Sequence, residues 1–141
     1  MKKIINFVTI EAAPERVYEA LTTQAGLAGW WSTKVQVEPG QGGLVRFRFV
    51  DDFHPQMRVT ALAPDRRVAW TCEAGHPNWQ DNTFSFELDP RGGGTGLMFV
   101  QVYAQELGDE VYGVYNFNWG YYLESLRRLC ETGKGVPFQA S

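Results

Sequence analysis

Ile4-Ile5-Asn6-Phe7-Val8-Thr9-Ile10-Glu11, followed by Ala12-Ala13-Pro14-Glu15-Arg16-Val17-Tyr18-Glu19-Ala20-Leu21, opens the chain; Trp119-Gly120-Tyr121-Tyr122-Leu123, running on through Leu126 and Leu129, nearly closes it. The first run is rich in β-branched residues and reads as a strand. Pro14 suits the first position of a helix, where its missing N–H costs nothing. Val17, Ala20 and Leu21 then share one helical face. Thr22-Thr23 breaks that pattern, and Ala25 to Trp31 reads as a second short helix. Towards the other end, Val111, Tyr115, Asn118, Trp119, Tyr122, Leu126 and Leu129 form one stripe of a long helix. Asp109 is its predicted N-cap, and Gly133 followed by Pro137 is its stop signal.

Between the two ends the pattern is that of a meander. Lys34 to Glu38 is a strand. Leu44 to Val50 places Val45, Phe47 and Phe49 on one face, and Gln56 to Leu62 does the same with Met57, Val59 and Ala61. Val68 to Glu73 aligns Val68, Trp70 and Cys72; Thr83 to Leu88 and Leu97 to Tyr103 complete the set. Turns are predicted at Pro39 to Gly43, at Asp51-Asp52 with Pro55, at Pro64-Asp65, and at Asp89-Pro90 with Gly92-Gly93-Gly94. Such a sheet has one apolar face to cover, and only the helices can cover it. The expected architecture is α+β: a curved antiparallel sheet wrapped around a long C-terminal helix, with two short helices after the first strand. It forms a single domain over residues 1–141.

Hydrophobic residues make up 44% of the 141 positions, enough to bury a core without staples. Two cysteines, Cys72 and Cys130, do not make a disulfide framework. The net charge is −3, and basic residues come only in pairs, which argues against nucleic acid as a partner. No apolar stretch approaches the ~20 residues of a membrane span, and no signal peptide opens the chain. A soluble, reduced, cytoplasmic protein is the expectation.

The chain resembles the START-like, or SRPBCC, superfamily of helix-grip folds. Within it, the chain is most similar to bacterial relatives of the activator of the heat-shock protein ninety ATPase. The resemblance rests on Ala13 to Thr23, Gly29-Trp30-Trp31, Thr83 to Leu88, Gly94-Thr95-Gly96-Leu97, and Trp119 with Leu123, Leu126, Leu129 and Glu131-Thr132-Gly133-Lys134-Gly135. It spans nearly the whole chain and implies a fold that usually encloses an apolar cavity. Family members often carry a His near the end of the last strand and a Trp late in the fifth. Gln101 and Cys72 stand there in this sequence, which speaks against a pocket imidazole.

The residues themselves give little support to catalysis. His54 and His76 sit in loops beside prolines with no ligand-type residue at helical spacing, so no metal is expected. The glycine clusters precede strands, not helices, and lack a phosphate-binding helix terminus. No serine has a nucleophile-elbow context. The acidic residues Glu106, Asp109 and Glu110 read as a solvated loop or as a lid. No acid–base pair stands out, and no catalytic residue or cofactor is assigned.

Aromatic residues are the richer signal. Strand parity and the helical stripe predict a cavity between the sheet and the first half of the long helix. Its expected lining is Phe49, Met57, Trp70, Phe86, Phe99, Gln101, Tyr115, Asn118, Trp119 and Tyr122. The leading expectation is non-catalytic binding of a small apolar or aromatic molecule there. Two alternatives stay open: a polyketide cyclase- or dehydratase-like enzyme, with Tyr115, Asn118 or Gln101 polarising a carbonyl, and a protein-interaction module with a chaperone partner, as the resemblance implies. A homodimer is also open, through Met98, Val100 and Val102 on the outer sheet face or through the outer helix face, with Trp79, Gly113 and Gly120 expected elsewhere on the surface.

Overall fold

The computed structural model describes residues 2–50 and 52–141; the predicted turn residue Asp51 lies outside them. The chain runs β1 (Lys3–Ile10), α1 (Pro14–Thr22), α2 (Gln24–Trp30), β2 (Val35–Val37), β3 (Leu44–Phe47), β4 (Gln56–Ala63) and β5 (Arg67–Ala74). It continues through a 3-10 turn (Pro77–Trp79) to β6 (Thr83–Arg91), β7 (Gly94–Val102) and α3 (Asp109–Thr132). All the strands join one antiparallel sheet in the order β1-β7-β6-β5-β4-β3-β2. From β2 onward each strand pairs with its chain neighbour, and β1 adds to the far edge beside β7. The inner face carries Val45, Phe47, Met57, Val59, Val68, Trp70, Phe84, Phe86, Leu97 and Phe99, all buried. α3 covers it, so the fold is the expected α+β helix-grip.

The two short helices hinge on one residue. Thr23 ends α1 with its N–H on Glu19 O and caps α2 with its Oγ1, which accepts from Gly26 N at 3.0 Å. That dual role is why the pattern breaks at Thr22-Thr23. A Cβ on Gly26 would stand 2.6 Å from Ala20 Cα, so only glycine allows the helices to meet this closely. Trp30 Nε1 donates across the same junction to Ala20 O at 2.9 Å.

Several expectations need correction. Asp109 is the first residue of α3, not its cap. Gly108 holds the cap position without a side-chain bond, and Asp109 instead meets Lys2 at 3.3 Å. The buried face of α3 is turned from the predicted stripe: Tyr112, Trp119, Leu123, Ser125, Leu126 and Leu129 are buried, whereas Asn118 is exposed. β4 carries a bulge between Val59 and Ala61, so Leu62, not Ala61, comes opposite Val68. An extra residue in a strand reverses the alternation beyond it. β3 stops at Phe47, because Phe49 N bonds Phe53 O at 3.1 Å and Phe53 N bonds Val50 O at 2.9 Å, curling the chain into a loop. β6 runs straight through Asp89-Pro90, and Pro90 pairs with Thr95. Pairing with β5 ends at Arg67–Glu87, so the missing proline N–H falls on an unpaired side, where strands tolerate it.

Two other expectations match. Gly133 ends α3 with φ +87° and its N–H on Leu129 O at 2.9 Å, the left-handed stop that glycine favours. Met98 is exposed and Val100 and Val102 half-exposed on the outer sheet face. Beyond Gly133 the chain folds back over α2. Val136 N donates to Ser125 Oγ at 2.7 Å, and Ser125 Oγ donates to Trp30 O at 2.8 Å. Phe138 then exchanges backbone bonds with the α2 end, Phe138 N to Trp31 O at 2.8 Å and Thr33 N to Phe138 O at 3.0 Å.

Candidate functional site

A cavity of about 260 Å³ lies beside the middle of α3, lined by Trp31, Phe49, Val50, Phe53, Trp79, Tyr115, Asn118, Trp119, Tyr122 and Phe138. Its floor is a set of near-parallel indoles. Trp31 stacks on Trp119 at 5.0 Å and on Trp79 at 6.2 Å, and Trp79 lies 6.1 Å from Trp119 with planes 12° apart. Phe53 meets Trp79 edge-on at 4.8 Å. Phe49 closes another side against Phe138 at 5.5 Å and Tyr122 at 6.3 Å. Exposed Asn118 and Val50 mark the mouth.

Local backbone features place these rings. Trp31 is the C-cap of α2 and is held by Phe138. Trp79 ends the 3-10 turn, which His76 caps by accepting from Asn78 N through Nδ1 at 3.1 Å. Asn78 Nδ2 donates to Tyr115 Oη at 3.1 Å, tying that turn to α3. The loop carrying Phe53 lies against Gly75 (φ +115°), where a Cβ would fall 2.1 Å from His54 O. His54 is half-buried in this contact, not a surface histidine, and its Nδ1 is enclosed without a partner.

Of the ten residues predicted to line the cavity, Phe49, Tyr115, Asn118, Trp119 and Tyr122 stand on its wall. Met57, Trp70, Phe86, Phe99 and Gln101 lie buried in the core behind it. The reason is Trp31. Its ring inserts from α2 to within 4.4 Å of Phe47 and 6.0 Å of Trp70, filling the space between sheet and helix and leaving the void at one end. Trp31, Val50, Phe53, Trp79 and Phe138 were not among the predicted lining, and Trp79, expected on the surface, is buried. The one local signal, for Trp31 alone, was the adjacent pair Trp30-Trp31, since successive side chains leave a helix in different directions. The acidic residues Glu106, Asp109 and Glu110 are not on the wall.

Among the described residues the wall carries no carboxylate, imidazole, amine or thiol. Burial, with the neighbouring Tyr121, raises the Tyr122 phenol above its ordinary value. Just behind the wall, Trp119 Nε1 donates to Gln101 Oε1 at 2.8 Å. Trp79 Nε1, Gln101 Nε2 and Tyr103 Oη are buried without partners. Burial drives the Tyr103 phenol up strongly, and the Trp79 and Gln101 N–H groups facing its oxygen pull it part of the way back. Cys72 and Cys130 are free thiols, and burial pushes each up to about 11. Among the described residues no three His, Cys, Asp or Glu side chains converge as a metal site, and no helix is long and apolar enough to cross a membrane.

A solution structure of an Aha1 dimer from Colwellia psychrerythraea is 33% identical, with a TM-score of 0.84, covering 96% of this chain and 100% of that one. Protein MLL2253 from Mesorhizobium loti shares the fold at 22% identity and a TM-score of 0.80, over 91% of this chain and 96% of its own. DynU16, from the dynemicin biosynthetic locus, shares it at 22% identity and a TM-score of 0.77; the match covers 96% of this chain and 49% of DynU16. No curated protein matches. The model of the family described as Activator of Hsp90 ATPase homolog 1-like protein matches residues 11–131, and the chain belongs to that family.

Proposed function

We propose that this protein binds a small apolar or aromatic molecule in the α3 cavity and does not turn it over. The observation that carries this reading is the wall: aromatic rings around a void of about 260 Å³ whose polar side-chain groups, among the described residues, are indole N–H groups, two phenols and one amide. Binding sites for small molecules are concave and mostly apolar, with few polar groups. Acid–base catalysis of the cyclase or dehydratase kind needs a titratable group tuned towards neutral pH, and burial moves the Tyr122 phenol of the wall further from it. The reduced interior of the cytoplasm suits Cys72 and Cys130 as free thiols. Native mass spectrometry of the purified protein, paired with quenching of indole fluorescence by 2-ethylnaphthalene, tests the proposal. Saturable quenching lost in Trp119→Ala supports it. The absence of both a co-purifying molecule and saturable quenching sinks it.

A second reading concerns association. Val114, Phe117 and Tyr121 are 54%, 76% and 51% exposed along the outer face of α3, beside the exposed glycines Gly113 and Gly120. An apolar helix stripe of this kind suits a second copy of the same chain across a two-fold axis, and the Colwellia relative is described as a dimer. The dimer predicts a doubled mass by light scattering that Phe117→Glu returns to the monomer; a monomeric wild type removes this version. A chaperone partner rests on the family's description alone.

A further inference from the structure

The two edges of the sheet are finished differently. At one edge β2 is short, Val35–Val37. Gln24 Oε1 accepts from Val37 N at 3.2 Å, and the returning tail bonds the chain just before β2, with Thr33 N on Phe138 O at 3.0 Å and Ala140 N on Thr33 Oγ1 at 3.0 Å. A short, covered edge offers a passing strand little to pair with. At the other edge β1 runs from Lys3 to Ile10 in unbroken register with β7, with no proline and no bulge. Tyr103 N donates to Lys2 O at 2.9 Å. By the alternation of an antiparallel ladder, Ile4, Asn6 and Val8 therefore bond β7, and Lys3, Ile5, Phe7 and Thr9 turn their backbone groups outward. Outside the ladder, no hydrogen bond among the described residues takes up the N–H of Ile5, Phe7 or Thr9. The same strand holds apolar side chains in solvent: Ile5 is 57% and Phe7 47% exposed. A long, open, apolar edge is a template for another strand.

The long helix leaves room for that strand. Asn6 Nδ2 donates to Asn116 Oδ1 at 3.3 Å, which puts Asn116 over β1. Gly113 and Gly120, one turn to either side, share its flank of α3, and a Cβ on either would meet nothing within 4 Å. Exposed Phe117 stands just beyond them. We infer that the β1 edge receives a second copy of this chain, the two β1 strands pairing antiparallel with Phe7 opposite Phe7 on the two-fold axis. In that register Ile5 meets the second copy's Thr9, and Lys3 meets its Glu11. Both charges are exposed, and among the described residues neither has an ion pair within the chain. Opposite charges directly across a strand pair are stabilising, so the edge is complementary to itself. Sliding the copies sets Lys3 against Thr9 in one direction and Glu11 against Ile5 in the other. The pairing brings the two α3 helices side by side along their glycine flanks, so strand edge and helix face form one surface. The inference rests on the self-association proposed above and supplies its central contact.

Light scattering and amide hydrogen exchange by NMR, on the same samples of wild type and Phe7→Lys, test it. In a monomer the amides of Asn6 and Val8 are protected by β7, and those of Ile5, Phe7 and Thr9 exchange freely; strand pairing between copies protects the second set as well. Wild type is expected to be a dimer with both sets slow. Phe7→Lys sets like charges against each other on the axis and should lose the dimer together with the protection of Ile5 and Thr9. Asn6 and Val8 should stay protected, which reports an intact fold; if the variant does not fold, the wild-type exchange pattern decides alone. A dimer in which Ile5, Phe7 and Thr9 exchange freely, or which folded Phe7→Lys leaves whole, overturns the edge pairing and leaves the α3 face standing. Protection of these amides in a monomer overturns it too, because the chain then covers its own edge. A monomer in which they exchange freely removes the self-association and the edge pairing with it.

Discussion

Trp31 and Trp119 stack with ring centroids 5.0 Å apart and planes 29° from parallel, joining the end of one short helix to the middle of the long one. Trp31 is 3% and Trp119 2% exposed, so each is both core and cavity floor. Truncating Trp31 to Ala should extend the void towards Trp70 and cost about 3–5 kcal/mol, as large aromatic truncations do. The unfolding free energy from denaturant titration measures the cost. A loss below about 1 kcal/mol would mean that the neighbouring rings collapse into the space.

Trp119 adds a polar role. Trp119→Ala should also cost about 3–5 kcal/mol. Trp119→Phe keeps most of the ring but leaves Gln101 Oε1 unpaired, a penalty of about 1–3 kcal/mol. The two variants together separate packing from the hydrogen bond. Equal stability of Trp119→Phe and wild type would show that Gln101 finds another donor.

Tyr103→Phe is expected to act in the opposite direction. The Tyr103 hydroxyl is enclosed without a partner, and replacing an unpartnered buried group by an apolar one is neutral to stabilising. The ligand-free variant should match or exceed wild type in Tm. A Tm clearly below wild type would reveal a hydrogen bond to a resident water.

The buried thiols set an alkaline limit. In the unfolded chain both ionise near 9.0, whereas in the fold burial raises each to about 11. A raised folded-state value contributes stability that is whole below the unfolded value and lost as pH rises through the folded one. Stability should therefore decline between pH 9 and 11. Cys72→Ala with Cys130→Ala should flatten that decline in urea titrations across the range, and an unchanged slope would assign it to other groups.

The fold was legible because its signals are local. Strand alternation, Pro14 at the start of α1, and Gly133 at the end of α3 each follow from a few neighbouring residues. What misled were single-residue changes of phase: the bulge after Val59 exchanges Ala61 for Leu62, and the turned face of α3 exchanges Asn118 for Leu123. The cavity was half legible. Phe49, Tyr115, Trp119 and Tyr122 follow from periodicity, but Phe53, Trp79 and Phe138 sit in loops and in the returning tail. Their positions depend on contacts far along the chain, such as Phe138 with Trp31 and His54 with Gly75, which no local pattern records.

The placement of β1 bears on the order of events when the chain folds. Neighbouring strands from β2 to β7 can zip together as successive hairpins, each closing a short loop. β1 must find β7, with Ile4 opposite Gln101, and long-range pairing is the slow step of such topologies. α3 lies over β1, with Asn6 Nδ2 on Asn116 Oδ1 at 3.3 Å, so helix and first strand dock together. The cavity, walled on one side by α3, is complete only once that helix has docked. A ligand held there has nothing to recognise in earlier states, so it stabilises only the finished fold, by an amount that grows with the ratio of free ligand to Kd.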